Sequence, residues 1–572
     1  MQIMKCFIRL AVFLCPVFAF SQSTYIPLGS KAYDFIDRME IKLKNNSNIN
    51  FSSVKPYSRK AIVKEAELFD SLRTPVSNPL FGGVTQYQEN DLKLTRVDEY
   101  NLNSLLMNNA EWVTKSNEEF ESRRPFLNVF YKTKANMLEV NSKDFFLAIN
   151  PILNLQYGTS SGNNTTYLNT RGVTARGLIA NRVGFSGTIT ENQEKGPQFF
   201  QDRVNQFGAV PGVGFYKAFK TNGVDYFDAR GYITFNAAKY IDFQFGYDKN
   251  FIGDGYRSLL LSDYGNSYLF FKINTKIWKF NYQNIFAELM PQFKKGKDTL
   301  LDRKYTAIHH LSMDVTKWLN IGLFEGVIFG RKNHFDFQYL NPIIFYRHIE
   351  GTIGSPDNAV AGLDFKAKVA HTAQLYGQLL LDEFVLSQLK KNTGSWVNKY
   401  AVQLGVKYVD AFKINNLDLQ LEANIARPFT YSHNDTIANY THYNQPLAHP
   451  LGGNFREFIG IVKYQPVPKL YFNGRLIYYV QGLDSLGRNF GSNPLKNYVT
   501  RPRDLGFYIG SGYRATCLNA SLVASYELKE NLFIDATALL RNFKVRESST
   551  TTNTKTVSIG IRWNIGRRDY DY

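Results

Sequence analysis

Three segments of the sequence mix glycine, aromatic and arginine residues in a pattern that suits ligand binding. They read FIGDGYRSLLLSDYGN at 251–266, FDFQYLNPIIFYRHIEGTIGSPDNAVAGLDF at 335–365 and RPFTYSHNDTIANYTHYNQPLAHPLGGNFRE at 427–457. Glycine permits tight folding, aromatic faces can stack on sugar rings, and arginine guanidiniums pair with acidic groups. Two interpretations stay open: these segments are ordered loops that seal a larger body, or they also bind carbohydrate.

The second interpretation assigns roles to particular side chains. Arg257, Arg347 and Arg427 are the candidate partners of acidic groups on a polysaccharide. Tyr256 and Tyr431 are the candidate polysaccharide-binding aromatic residues in the same segments.

The sequence lacks the common motifs of catalysis and metal binding. It contains no nucleophile elbow, P-loop or HExxH pattern. His309 and His310 are neighbours in a predicted strand and therefore point to opposite faces. His433, His442 and His449 share one predicted loop, where histidines that only form hydrogen bonds are the commoner case. We predict no catalytic residue, no cofactor and no metal site, although a hydrolase assembled across strands stays open as the least favoured alternative.

From about residue 144 onward, apolar and polar residues alternate with a period of two. The runs YIDFQFGYD at 240–248 and NLDLQLEANIAR at 416–427 are examples. Such alternation gives a strand one apolar and one polar face. Many runs last ten residues or more, which is the length that crosses a bilayer when the strand is tilted.

The lengths of the connections favour a membrane barrel over a soluble β-sandwich. We place strands at 144–157, 172–181, 182–191, 229–237, 240–248, 267–275, 277–288, 304–315, 319–330, 360–370, 372–381, 397–408, 414–426, 454–465, 468–481, 511–528, 531–546 and 555–566. Short polar turns alternate with long connections, as expected for periplasmic turns and external loops. The predicted fold class is an all-β transmembrane barrel of about 18 antiparallel strands with an N-terminal periplasmic α-helical segment.

The N-terminal part of the chain reads differently from the barrel. Residues 1–21 have the features of a cleaved secretory signal peptide, with Lys5 and Arg9 before an apolar run. Amphipathic runs at 30–43, 58–73 and 99–113 predict helices. We therefore predict a mainly helical periplasmic segment at 22–143, which could plug the barrel, and the barrel itself at 144–572.

Composition supports an exported membrane protein. The 572 residues are 15% aromatic and carry a formal charge of +18, and removal of Lys5 and Arg9 would lower that charge by two. So many aromatic residues exclude a disordered chain, and a basic exported protein meets anionic partners such as lipopolysaccharide phosphates. Cys517 is the one cysteine beyond the predicted signal, so we expect no internal disulfide. The terminal aromatic residue, Tyr572, fits the insertion signal of a last barrel strand.

Several segments, taken in order, resemble the Wzi-like capsule-assembly family of outer-membrane proteins, and in particular its RemB-type members associated with gliding motility. They are KPYSR at 55–59, GDGYRSLLLSD, WLNIGLFEGVIFG, YLNP with SPDNAVAGLDF, and YSHNDTIANYTHYNQPLAHPLG. The resemblance implies a barrel closed by loops above and by a helical bundle below. It also implies a polysaccharide-binding role for His449, although PLAHP departs from the family's Gly–His pair, and structural roles in the lumen or loops for Asp254, Glu325 and Asp357.

These observations predict a non-enzymatic outer-membrane surface protein that binds or organises exported polysaccharide, in capsule assembly or gliding motility. The alternative is an outer-membrane channel for diffusion or export of solutes. The expected partners are lipopolysaccharide and outer-membrane lipid, surface or capsular polysaccharide, and gliding or secretion machinery, with no nucleic acid.

Overall fold

The computed structural model describes residues 23–44, 52–71, 94–115, 118–162, 164–291, 300–343, 345–354 and 357–572. The predicted signal peptide at 1–21 lies outside these ranges. Among the helices in the described ranges, none is both long enough and apolar enough to cross a bilayer.

Within the described residues, eighteen antiparallel strands close into one barrel. They are β1 (Phe145–Ser160), β2 (Asn164–Ile179), β3 (Val183–Lys195), β4 (Gly223–Ala238), β5 (Ile241–Asp248), β6 (Tyr268–Ile277), β7 (Phe280–Leu289), β8 (Lys304–Asp314), β9 (Leu319–Phe329), β10 (Asn358–Ala370), β11 (Ala373–Glu383), β12 (Lys399–Tyr408), β13 (Leu417–Ala426), β14 (Phe455–Val467), β15 (Leu470–Leu483), β16 (Tyr513–Lys529), β17 (Leu532–Val545) and β18 (Thr550–Trp563). Strand β18 pairs with β1, with Ile559 opposite Tyr157, and so closes the ring. Closure pairs every strand edge, which a sheet in hydrocarbon requires, and the predicted fold class is confirmed.

Several strand boundaries differ from the prediction; β3 ends at Lys195 instead of 191, and β4 begins at Gly223 instead of 229. Strand β2 begins at Asn164 instead of 172, because a tight hairpin replaces the expected long connection after β1. Strand β18 begins at Thr550 and ends at Trp563, where 555–566 was expected. The added residues at the start of β2 and of β18 are rich in Asn and Thr, so they lack the apolar alternation from which the strands were predicted.

The two faces of the barrel wall differ in polarity, as the alternation predicted. Leu404 and Leu421 are exposed on the outer face, at 58% and 61%. Their neighbours Gln403 and Glu422 point inward and are buried. An apolar outer belt of this kind faces lipid, and together with the closed barrel it places the protein in the outer membrane.

The N-terminal part contains the three helices that the amphipathic runs predicted. They are α1 (Ala32–Leu43), α2 (Arg59–Ser71) and α3 (Arg96–Met107). Helix α3 begins with a capping box in which Thr95 and Asp98 satisfy each other's backbone N–H groups. The apolar faces share a core that includes Met39, Ile62 and Leu102.

This helical bundle packs against the end of the barrel that carries the short turns. Arg38 pairs with Asp98 of α3 at 2.8 Å and with Asp418 of β13 at 2.5 Å. Lys31, just before α1, pairs with Glu527 near the turn that follows β16, at 2.5 Å. Because short turns mark the periplasmic side, the bundle occupies the periplasmic mouth of the barrel.

The C-terminal tail, residues 564–572, turns back from the end of β18 into the lumen. Arg568 Nε lies 3.0 Å from Glu194 Oε1 of β3, and Arg475 of β15 pairs with Asp569 at 3.1 Å. Tyr572 is 5% exposed and packs in a cluster with Phe199 of helix α4 (Gln198–Phe207). The expectation that Tyr572 ends the last strand is therefore wrong, because the polar run GRRDYDY finds its charged partners inside the barrel.

Candidate functional site

Two long external loops, 249–267 and 427–454, fold into the barrel mouth, and we call them the inner cap. Leu259, Leu260 and Leu261 are at most 1% exposed and belong to the main apolar cluster together with Tyr440 and Leu447. The backbone N–H of Ser262 donates to the carbonyl of Leu447 at 2.8 Å, which joins the two loops. The inner cap therefore fills the mouth with packed side chains.

Beneath the inner cap lies a buried ionic cluster, the central network, formed by Arg257, Glu422, His449, Glu457 and Asp571. Arg257 Nη1 lies 3.0 Å from Asp571 Oδ2, and Arg257 Nη2 lies 3.6 Å from Glu457 Oε1. His449 Nε2 is 2.7 Å from Glu457 Oε2. Glu422 accepts the backbone N–H of Arg257 at 3.1 Å. The network thus ties the loops, the barrel wall and the C-terminal tail together.

Charge pairing dominates the electrostatics of the tail. Burial alone would raise the pKa of the Asp571 carboxyl, but the guanidiniums of Arg257 and Arg475 hold that pKa well below its usual value. Asp571 is therefore ionised at neutral pH, and its charge is compensated within the lumen.

The structure brings four of the predicted polysaccharide-binding residues together around this network. Two of them, Arg257 and His449, are members of the network. Tyr256 donates its backbone N–H to Glu422 at 2.7 Å. Tyr431 is 1% exposed, and its hydroxyl donates to the carbonyl of Leu259 at 2.8 Å. In this arrangement all four residues already bind protein partners, and among their described contacts only Arg257 Nε is a buried polar atom without one.

The other two predicted arginines lie elsewhere. Arg427 is half-buried and donates to the carbonyls of Asn398 and Ser395, at 3.0 and 2.9 Å, so it holds the loop before β12 in place. Arg347 has a side chain 76% exposed and pairs with Glu350 at 2.6 Å. Of the predicted polysaccharide contacts, Arg347 is the one whose side chain is mostly free to meet a ligand.

The three predicted structural residues hold different parts of the molecule. Asp254 lies inside, 3.4 Å from Lys366 of β10. Asp357 pairs with Arg331 at 2.5 Å, at the base of the loop between β9 and β10. Glu325 is on the outer face of the wall, because its neighbour Phe324 belongs to the interior cluster.

A partly exposed surface of mixed aromatic and basic character lies on the external loops 384–398 and 484–512. We call it the rim patch and define it by Trp396, Arg501, Arg503 and Tyr508. The guanidinium of Arg501 stacks on the Trp396 ring, 3.9 Å from its centroid. Tyr508 is 49% exposed, and its hydroxyl donates to the carbonyl of Asn392 at 2.9 Å. Arg503 is exposed beside Phe507.

These residues were not predicted from the sequence, although a signal was available. RPRDLGFY at 501–508 combines two arginines with two aromatic residues in a predicted long connection. Trp396 lies in the other connection, far from these residues in the chain, and only the tertiary structure places it under Arg501.

Histidine positions agree with the predicted strand geometry. His310 faces the lumen, where Nε2 lies 2.7 Å from Asp364 Oδ2, and His309 faces outward against the ring of Tyr346. In the part of the chain that the structure describes, no three His, Cys, Asp or Glu side chains are grouped as metal ligands would be.

Comparison with one solved structure supports the fold. Escherichia coli Wzi, an outer-membrane protein involved in group 1 capsule assembly and described as a carbohydrate-binding β-barrel, aligns with a TM-score of 0.54 at 13% identity, over 96% of this chain and 100% of its own. Pseudomonas aeruginosa OprD aligns with a TM-score of 0.41 at 11% identity, over 72% of this chain and 94% of its own. Acinetobacter baumannii OccAB4 has a TM-score of 0.41 at 8% identity, over 74% and 98%.

Sequence comparison adds a family. Among curated proteins no sequence matches this chain significantly. The model of the family described as capsule assembly protein Wzi matches residues 227–478, which run from β4 to β15. The predicted family resemblance is therefore confirmed: over residues 227–478, this outer-membrane barrel carries the sequence pattern of the Wzi capsule-assembly family.

Proposed function

We propose that this protein binds exported polysaccharide at the cell surface, without catalysing a reaction, and that the rim patch is the main contact. The carrying observation is that the rim patch presents a stacked Trp396–Arg501 pair with exposed Arg503 and Tyr508 on the external side of a filled barrel. Aromatic faces suit sugar rings, and guanidiniums suit the carboxylates or phosphates of acidic glycans. The carbohydrate binding described for the E. coli protein supports the same class of ligand.

The predicted residues around the central network enter this proposal as positioning groups. Arg257 and His449 hold the inner cap through Glu457 and Asp571. Arg427 holds the loop that carries Trp396. Arg347 lies on a separate loop that packs on the outer wall of the barrel, so its predicted polysaccharide contact is not part of this proposal.

Filling of the lumen disfavours the alternative of a diffusion channel. The helical bundle occupies the periplasmic mouth, the inner cap occupies the external mouth, and the tail crosses the space between them. A solute would have to displace a buried ion pair such as Arg257–Asp571, whose members are costly to separate. The RemB-type assignment, a link to gliding or secretion machinery and contact with lipopolysaccharide stay predictions.

Titration of the purified protein with acidic capsular polysaccharide tests the proposal. The double variant Arg503→Ala/Tyr508→Ala should lose tenfold or more in affinity, which corresponds to at least about 1.4 kcal/mol. The matched control is Phe412→Ala/Lys413→Ala, which removes an exposed aromatic residue and a cation from the periplasmic turn after β12.

Three outcomes are informative. Loss of affinity in the rim variant alone supports the proposal, whereas equal affinity in both variants contradicts the rim patch as the contact. Steady conductance of the wild-type protein in planar bilayers would instead favour the channel.

A further inference from the structure

The loop between β9 and β10 lies outside the barrel, against its lipid-facing wall. We call its described residues, 331–343 and 345–354, the outer strap; it includes a 3-10 turn at Phe337–Leu340 and helix α5 (Tyr346–Ile353). Tyr339 and Tyr346 are fully buried, but their cluster contains Tyr305, Ala307 and Val327, which alternate with interior residues of β8 and β9. The strap therefore packs on the outer face of the wall, not in the lumen.

The strap reaches deep along this wall. The hydroxyl of Tyr282 on β7 contacts the carbonyl of Pro342. Tyr282 is four residues from Trp278, the exposed aromatic residue of the periplasmic turn before β7. At roughly 3.3 Å per residue, the backbone of Tyr282 lies at most about 13 Å from that turn, and outward side chains stand roughly perpendicular to the sheet. The apolar band of such barrels is about 25 Å tall. Pro342 thus lies at the depth of the hydrocarbon.

Irregular backbone at this depth needs hydrogen-bond partners from protein, because lipid offers none. The wall supplies them through polar side chains at outward positions. The carboxylate of Glu325 accepts the backbone N–H groups of Tyr346 and Arg347, the first two residues of α5. A carboxylate at a helix N-terminus satisfies free N–H groups and complements the helix dipole. Polar residues on a lipid-facing wall are costly without such a role.

The opposite side of the strap is apolar. Ile343 and Phe345, which follow Pro342 at the deepest point, are 86% and 76% exposed, and Phe337, nearer the external end of the wall, is 79% exposed. They continue the outer belt of the neighbouring wall, where Leu323, two residues from Glu325, is 54% exposed. Arg347 pairs with Glu350 one turn along α5, toward the external end of the wall.

We propose that the outer strap is a membrane-embedded element: Tyr282 and Glu325 dock it on the barrel wall, and Phe337, Ile343 and Phe345 contact the acyl chains of membrane lipid. The outward polar residues of β7 and β9 are then docking groups for the strap. This inference is independent of the polysaccharide contact.

The test places single cysteines in the complete protein, reconstituted into phosphatidylcholine liposomes and labelled with bimane. Ile343→Cys and Phe345→Cys report on the strap. Leu486→Cys is the matched control, because Leu486 is 83% exposed on an external loop. Unsubstituted protein gives the background from the buried Cys517.

Brominated phosphatidylcholine should quench the two strap labels several-fold more than the Leu486 label, and aqueous iodide should show the reverse order. Equal iodide quenching at all three positions would overturn the proposal. Protection of the strap labels from both quenchers would also overturn it, because a second protein would then cover the strap.

A second variant tests the docking group. Glu325→Ala, made in the Ile343→Cys background, should increase bimane mobility in fluorescence anisotropy, and Glu325→Gln, which keeps a carbonyl acceptor, should recover part of the effect. Unchanged anisotropy in Glu325→Ala would mean that Glu325 does not dock the strap on the wall, which would contradict the proposal.

Discussion

Two external loops of this barrel meet opposite surroundings. The loop at 249–267 folds inward and places Arg257 against Asp571 and Glu457. The loop between β9 and β10 folds outward and exposes Phe337, Ile343 and Phe345. One strand ladder can therefore support loops on either face. The residue types of each loop match the polarity of the surface on which it packs.

The two loops also satisfy their polar groups differently. Inside, charges pair with charges from β13, β14 and the C-terminal tail. Outside, residues 337–346 of the strap carry no charged side chain, and the backbone is satisfied by Glu325 and Tyr282. A buried charge is costly to leave unpaired, whereas an exposed apolar group in lipid costs nothing. Substitutions of opposite kind should therefore damage the two loops.

The largest effect should come from breaking an inner charge pair. Asp571→Ala leaves Arg257 and Arg475 without a common buried partner, so the free energy of unfolding should fall by about 3–5 kcal/mol. Urea titration of the protein in phospholipid vesicles measures the change. A loss below about 1 kcal/mol would show that the inner loop does not depend on this pair.

The next effect should come from adding a charge to the outer strap. Ile343→Arg places a cation among acyl chains, so the free energy of unfolding should fall by about 2–4 kcal/mol if the strap lies near the membrane midplane. Leu486→Arg, at an equally exposed position on an external loop, should change it very little. The heat-modifiable gel mobility of both variants gives the comparison, and equal behaviour would remove the distinction between the loops.

A smaller effect should follow from acidification of the inner cap. Burial lowers the pKa of His442 to about 3, and the neutral ring accepts the Met290 backbone N–H at 3.0 Å and contacts the Ser267 carbonyl at 3.0 Å. Below its unfolded pKa of about 6.5, the unfolded state binds the proton that the folded state refuses, so stability falls as the pH falls.

Between pH 7 and pH 5 this linkage should remove about 2 kcal/mol from the free energy of unfolding. Urea titrations at several pH values measure the slope. His442→Gln should flatten it, and a wild-type slope in that variant would assign the pH dependence to other groups.

The smallest effect should come from an exposed ion pair of the rim. Arg501 and Asp504 lie 2.6 Å apart, but the Asp504 side chain is 71% exposed. Asp504→Ala should therefore change the free energy of unfolding by no more than about 1 kcal/mol. The same urea titration measures this change and gives a reference for Asp571→Ala. A loss of free energy of unfolding as large as in Asp571→Ala would mean that exposure does not explain the difference between the two ion pairs.

Prediction from sequence succeeded where the period of the pattern carries the information. Runs such as 240–248 and 416–427 predict strands with one apolar and one polar face, and the structure contains eighteen barrel strands in the predicted order. It failed at Asn164 and Thr550, where strands extend in polar residues, and at Tyr572, because a charged tail gives no sign of where its partners lie.

The candidate site was predicted less well than the fold. Tyr256, Arg257, Tyr431 and His449 were placed in the right loops, but local sequence cannot tell an arginine that meets solvent from one that meets Asp571, which is 314 residues away. Trp396 was not predicted as a site residue, because its partner, Arg501, lies on another loop.

The alternation of apolar and polar residues is enough to predict a barrel with lipid outside, since it is a local property that each strand carries alone. Which long loop enters the lumen, which one lies on the outer wall, and where the tail ends become clear only in the folded molecule. These choices depend on partners far apart in the chain, such as Arg257 with Asp571 and Glu325 with α5, whose pairing no local pattern records.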